Sequence, residues 1–313
     1  MTTRREFLAM VGAAGLLVAC GADGGDRAAS SEEEGPDAAG TGDGDRATTA
    51  ETPTVLALGE EYLLADLLTL GIRPIASTAN VVLDEGFAGL GEFDTEGIEA
   101  LPSNEPNLER LAGYRADVVV ANTFVADYLG REVLEGLGGE LVVVPDDHAE
   151  RILALGNTFD RRSEAEAALA DLDEAIAAGA ATLNAGGRAV SVATVYPGST
   201  VAAWVDGPID VPATLLAMGF TLRPGATDVE GDEGGRLYLS NEQLDVLDAD
   251  TLVALQSDLV AGEPEALEAM ADDPLWSGLP AVASGKVVTV DRLGYPGIAG
   301  RRRLVDDLVA RLG

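Results

Sequence analysis

The chain has 313 residues, with 54 acidic against 20 basic side chains and a formal charge of −34. A surface that acidic repels polyanions, which excludes nucleic acid and anionic headgroups as electrostatic partners; solubility in a saline medium accounts for it without any function. The single cysteine, Cys20, excludes an intrachain disulfide, and the single histidine, His148, excludes a His-rich centre for zinc or manganese.

Thr3-Arg4-Arg5-Glu6-Phe7-Leu8 precedes an apolar run from Ala9 to Ala19. A charged start and a short apolar stretch read as an export signal over residues 1–20, too short for an ordinary spanning helix. The adjacent arginines resemble a twin-arginine signal. Leu17-Val18-Ala19-Cys20-Gly21 resembles a lipobox, which implies that Cys20 receives diacylglycerol and holds the protein to the outer face of the cytoplasmic membrane. Residues 21–53 carry almost no large apolar side chain. They cannot bury enough surface to offset ordering entropy, and read as a disordered acidic tether.

From Thr54 short apolar runs alternate with helical patterns. Val55–Leu58 reads as a buried strand, followed by a helix through Tyr62, Leu63, Leu67, Leu68 and Leu70 that Gly71 closes. A strand begins at Pro74-Ile75-Ala76, a helix spans Asn107–Tyr114, and Asp117–Ala121 is the next strand. A helix near Val125–Leu137 and a strand at Leu141–Val144 complete a βα series, the pattern of a parallel sheet covered on both faces. Ser163 to Leu183 then holds one helical period, with Ser163 and Glu166 spaced as a capping box. Alternation resumes with a strand at Arg188–Val195, a helix at Val211–Met218, strands at Thr251–Leu255 and Lys286–Val290, and a closing helix at Ala299–Leu312. The expected fold is α/β: two lobes with central parallel sheets, residues 54–160 and 185–313, joined by a single long helix at 161–184.

Four segments carry a family resemblance. Pro106-Asn107-Leu108-Glu109-Arg110-Leu111 running into Ala116-Asp117-Val118-Val119-Val120 resembles a conserved stretch of class III binding proteins of ABC importers, the iron-siderophore and cobalamin binders. Leu155-Gly156 ahead of Glu164-Ala165, Ser240-Asn241-Glu242-Gln243-Leu244 ahead of Ala249-Asp250-Thr251-Leu252, and Asp273-Pro274-Leu275-Trp276 ahead of Gly285-Lys286-Val287 follow in the family's order. The resemblance covers roughly residues 54–312. It implies a non-enzymatic clamshell of limited closure, monomeric and without a resident cofactor, that delivers a metal chelate to permease and ATPase subunits. The ligand is expected to be a ferric siderophore, with cobalamin or haem as alternatives. Glu109 and Glu242 match the family's docking glutamates, one per lobe, which orient the encounter with the permease.

Ligands of open parallel sheets gather at the carboxyl ends of strands. That rule nominates Glu60, Glu61, Tyr62, Asn122, Thr123 and Phe124 in the first lobe. In the second it nominates Tyr196, Trp204, Gln256 with Ser257, Arg292 and Tyr295, with Arg236 as a further cation. Few arginines fall at these ends, and Glu60 and Glu61 add negative charge. A neutral or cationic chelate, such as a ferric hydroxamate, or a corrinoid is favoured over a catecholate. Trp276 reads as core. An exported hydrolase is poorly served, because no Gly-x-Ser-x-Gly elbow occurs; a ligand-sensing or adhesion lipoprotein of the same fold stays open.

Overall fold

A computed structural model describes residues 53–84, 86–104, 106–198, 200–205, 210–232 and 235–313. The signal, the lipobox at Cys20 and the tether lie outside the described residues, apart from Pro53. In the first lobe the chain forms β1 (Val55–Leu58), α1 (Glu60–Thr69), β2 (Ala76–Ala79), β3 (Glu99–Pro102), α2 (Leu108–Gly113), β4 (Val118–Asn122), α3 (Thr123–Leu129), α4 (Arg131–Glu135), β5 (Glu140–Val144) and α5 (His148–Thr158). These strands make one parallel sheet in the order β3-β2-β1-β4-β5. The single helix expected over Val125–Leu137 is two, because Gly130 takes a left-handed φ of 87° between them.

The spine, α6 (Arg162–Leu183), leads into the second lobe: β6 (Ala189–Tyr196), β7 (Thr200–Trp204), α7 (Asp210–Ala217), β8 (Thr221–Leu222), β9 (Arg236–Leu239) and a 3-10 helix (Asn241–Val246). There follow β10 (Leu252–Gln256), α8 (Glu263–Met270), α9 (Pro274–Ser277), α10 (Pro280–Ala283), β11 (Val287–Asp291) and α11 (Gly297–Leu312). The second sheet runs β11-β10-β6-β7-β9. Its β11, β10 and β6 are parallel, as expected, whereas β7 and β9 are antiparallel additions on one side. The hairpin from β6 to β7 turns through Tyr196-Pro197-Gly198, a punctuation signal in the sequence that marks a reversal.

The proposed capping box at Ser163 does not form. The helix starts two residues earlier, with Arg161 as its N-cap, so Ser163 lies inside it and donates to Glu164, while Glu166 pairs with Arg162 at 2.8 Å. The lobes are also joined by more than α6. The helix α11 packs along α6, reaches α1 in the first lobe and touches α7 in the second. One continuous apolar cluster therefore runs from Leu63, Val120 and Ile152 through Leu172 and Leu183 to Val192, Leu255, Leu304 and Leu308. Close approach is secured by two glycines. A Cβ on Gly179 would meet Val305 Cγ1 at 2.9 Å, and one on Gly297, at a left-handed φ of 67°, would meet Ala65 Cβ at 2.7 Å. Among the described residues no helix is long and apolar enough to cross a membrane.

Candidate ligand-binding site

The order β3-β2-β1-β4-β5 reverses direction of winding between β1 and β4, and crevices open where strand order reverses. A hollow of about 210 Å³ lies there. Leu58 ends β1 and Glu60 follows it, Thr78 lies on β2, Ser103 follows β3, and Phe124 and Tyr128 rise from α3 after β4. The volume falls short of the roughly 300–1,000 Å³ that encloses a drug-sized ligand. Phe124 and Tyr128, one helical turn apart, stack at 6.3 Å with rings 5° from parallel, and each is 65% exposed. Two large rings held open to water offer flat apolar area at small entropy cost.

Glu60 holds a left-handed φ of 62°, a conformation that costs a non-glycine residue about 1–3 kcal/mol. Thr78 Oγ1 fixes it by accepting from Gly59 N at 3.0 Å and Glu60 N at 3.3 Å. Burial raises the Glu60 carboxyl above its ordinary pKa, and Glu61 adds to this. The nearby Ser103 hydroxyl pulls it partly back without reaching ordinary hydrogen-bond geometry. Among the described residues no cation pairs with Glu60.

Other nominated residues of this lobe are occupied by the fold itself. Glu61 is buried and accepts from Asn80 N and Val81 N, both at 3.1 Å, pinning the exit of β2. Asn122 is buried and caps α3 through Val125 N at 2.8 Å, while its amide donates to the Tyr62 hydroxyl. Tyr62 lies half-buried beneath the Arg151 guanidinium, 4.7 Å from its centroid. Burial drives its phenol far up, so the ring stays neutral. Thr123 is exposed and donates to Val144 O at 3.2 Å.

In the second lobe, pairing of Trp204 with Arg236 and of Ala202 with Tyr238 puts Thr194, Tyr196, Trp204, Arg236 and Tyr238 on one sheet face. The Arg236 guanidinium lies over the Trp204 ring at 5.8 Å and the Tyr238 ring at 5.5 Å; Tyr196 and Tyr238 stack at 6.4 Å. Burial opposes the charge of Arg236, but the Tyr196 hydroxyl and Asp232, at 3.1 Å, outweigh it and raise its pKa. Trp204 is buried and donates to Thr194 Oγ1 at 3.0 Å, so it supports this wall rather than opening from it.

Three nominated residues are drawn elsewhere. Arg292 grips the fully buried Glu263 through Nε and Nη2, the latter at 2.7 Å, and Glu263 also accepts from Ser257 N at 2.9 Å. Gln256 is half-buried beside them, its carbonyl accepting from Arg292 N at 2.9 Å. Tyr295 donates to Asp307 on α11 and lines a shallow acidic hollow that shares no residue with the first-lobe pocket.

Between the lobes lies a charged knot that strand ends did not nominate. Asp66, fully buried on α1, accepts from Arg151 Nε at 2.7 Å and from Ile298 N at 2.8 Å, tying α1 to α5 and α11. Arg301 is buried on α11; its Nη1 meets His148 Nδ1 at 2.5 Å and its Nε stands 4.0 Å from Asp210 at the start of α7. Burial and then Arg301 lower the His148 pKa. The protein packed around Asp210 raises its pKa to about 6 despite Arg301 and Arg151 nearby, while 40% of its side chain stays open to solvent. The signal for this knot was the triplet Arg301-Arg302-Arg303 in so acidic a chain. Successive helical residues face different neighbours, and the three reach Asp210, Asp171 and Glu92 respectively.

Glu109 is exposed in the first turn of α2 and Glu242 in the first turn of the 3-10 helix after β9. Since β9 runs in the same direction as β6, both glutamates sit at the carboxyl-end edge of their sheets.

The family profile described as "Periplasmic binding protein" matches residues 64–292. Among solved structures, SirA of Staphylococcus aureus complexed with staphyloferrin B is 18% identical with a TM-score of 0.70, covering 83% of this chain and 92% of that one. The siderophore binding protein FhuD of Vibrio cholerae, bound to Fe3+-Desferal, is 19% identical with a TM-score of 0.66, over 83% and 97%. A FhuD fold-family periplasmic binding protein component of a Fep/Fec-like ferrichrome ABC transporter from Bacillus subtilis is 17% identical with a TM-score of 0.65, over 83% and 97%. The fold is theirs.

Proposed function

The chain belongs to the periplasmic binding protein family, and we propose that it captures a ferric siderophore outside the cytoplasmic membrane and delivers it to the permease of an ABC importer. In this reading it performs no covalent chemistry, acts as a monomer, and is held to the membrane through lipid on Cys20. The observation that carries the reading is the hollow at the strand-order reversal of the first sheet, flanked by the exposed Phe124–Tyr128 pair. Its mixture of flat apolar area and a few polar groups suits a chelate with an apolar shell, and solved neighbours of the same fold are named with staphyloferrin B and Fe3+-Desferal bound.

Titration of tryptophan fluorescence tests it, with a Trp276→Phe variant leaving Trp204 as sole reporter. Ferric hydroxamate, ferric catecholate, haem and cobalamin are the ligands; saturable quenching by a ferric chelate at micromolar concentration or below is expected. Response to haem or cobalamin alone would replace the ligand class, and response to none would end the reading. Docking is tested by Glu109→Arg and Glu242→Arg. Each is expected to leave ligand affinity unchanged and to abolish iron uptake in cells; lost affinity would place them in the binding site instead.

A further inference from the structure

We propose that the first-lobe pocket is a subsite for a protonated amine on an apolar arm, with Glu60 as its counter-ion. This rests on the chelate-binding reading and refines the ligand to a ferric chelate that carries a cationic tail. The argument begins with a charge inventory. Arg151 is taken by Asp66, Arg292 by Glu263 and Arg236 by Asp232, while Arg301 lies against His148 and Asp210. Each guanidinium near the crevice thus has its partner within the protein. Glu60, by contrast, is a half-buried carboxylate in the lining of the hollow that no cation of the described residues meets.

Its surroundings make that vacancy selective. Leu58, Val125 and Leu129 give apolar walls, Phe124 and Tyr128 present ring faces, and among the described residues no basic side chain lines the hollow. An alkyl chain would lie along the walls, and an ammonium at its end would reach the carboxylate while passing aromatic faces that themselves attract cations. Ser103 Oγ, buried in the same hollow and in ordinary hydrogen-bond geometry with none of the described residues, supplies a further acceptor for a three-proton donor. A buried carboxylate without a partner is costly, and a ligand cation relieves that cost on binding. The formal charge of −34 works in the same direction at long range, raising the local concentration of cationic ligands and repelling anionic ones at low salt.

The test compares two ligands that differ only at the tail: a linear ferric trihydroxamate ending in a primary amine, and the same chelate with that amine acetylated. The wild-type protein is expected to bind the free amine about 10–100-fold more tightly, the range of one charge-assisted hydrogen bond. Glu60→Gln is expected to erase that ratio. The wild-type ratio needs no variant, so the inference stays testable if Glu60→Gln misfolds. Equal binding of both chelates, or tighter binding of an anionic ferric catecholate, overturns the cationic subsite and leaves the chelate-binding reading standing. If no ferric chelate binds at all, the underlying reading falls and the subsite with it.

Discussion

The first-lobe pocket and the second-lobe wall treat charge in opposite ways. On the second-lobe wall and along the floor, guanidinium groups are present but spoken for: Arg236 by Asp232, Arg292 by Glu263, Arg151 by Asp66. In the first-lobe pocket the Glu60 carboxylate meets no cation among the described residues. Counting arginines and glutamates at strand ends therefore misjudges the crevice, because a paired charge is part of the scaffold and an unpaired one is available to a ligand. Paired buried charges hold the shape, since removing one partner strands the other in a medium that cannot solvate it.

That contrast can be broken most sharply at its paired end. Asp66→Asn leaves Arg151 buried without its carboxylate and weakens the tie to Ile298, and is expected to cost about 3–5 kcal/mol in urea unfolding. Glu60→Gln, which removes a half-buried carboxylate that no cation of the described residues meets, is expected to cost nothing in the same assay and to raise stability slightly. Equal losses in the two variants would erase the distinction between scaffold and site.

A smaller effect is expected at the exposed rings. Phe124→Ala with Tyr128→Ala should weaken binding of the preferred chelate about tenfold or more, as aromatic anchors in an interface do, while leaving the melting temperature nearly unchanged because both rings already face water. Isothermal titration and thermal melts separate the two outcomes.

The smallest expected effect sharpens the comparison at the floor. Asp210 has a folded pKa of about 6, above that of an ordinary carboxylate, so its protonated form favours the folded state. Its contribution is fully present below about pH 4 and is lost as pH rises through about 6. Asp210→Asn lacks this dependence. The melting temperature of wild type minus that of the variant should fall between pH 4 and pH 7; a flat difference would mean that Asp210 carries no raised pKa.

Much of the fold was legible because its signals are local. Val55–Leu58 and Val118–Ala121 are unbroken apolar runs, the mark of strands buried on both faces, and the repeat of Leu and Ala across Ser163–Leu183 marks the spine. The antiparallel pair β7 and β9 was missed. Each is short, and their partnership spans a gap of more than thirty residues holding α7 and β8, so nothing near either strand reports the other.

Within the candidate site, strand ends nominated Glu60, Phe124 and Tyr196, because the carboxyl edge of a sheet follows from strand direction alone, whereas Arg236 opens β9 and was nominated only as a cation. Tyr128 was missed, one helical turn beyond Phe124, where α3 repeats the exposed face. The amino-acid order by itself determined which segments become strands and helices and which residues lie at the carboxyl ends of the parallel strands, since both depend on neighbours a few residues away. Only the tertiary structure decided which charges are neutralised. Asp66 and Arg151 are 85 residues apart and Glu263 and Arg292 are 29 apart, and in a chain this rich in carboxylates each arginine has many possible partners until packing of α1, α5, α8 and α11 selects one.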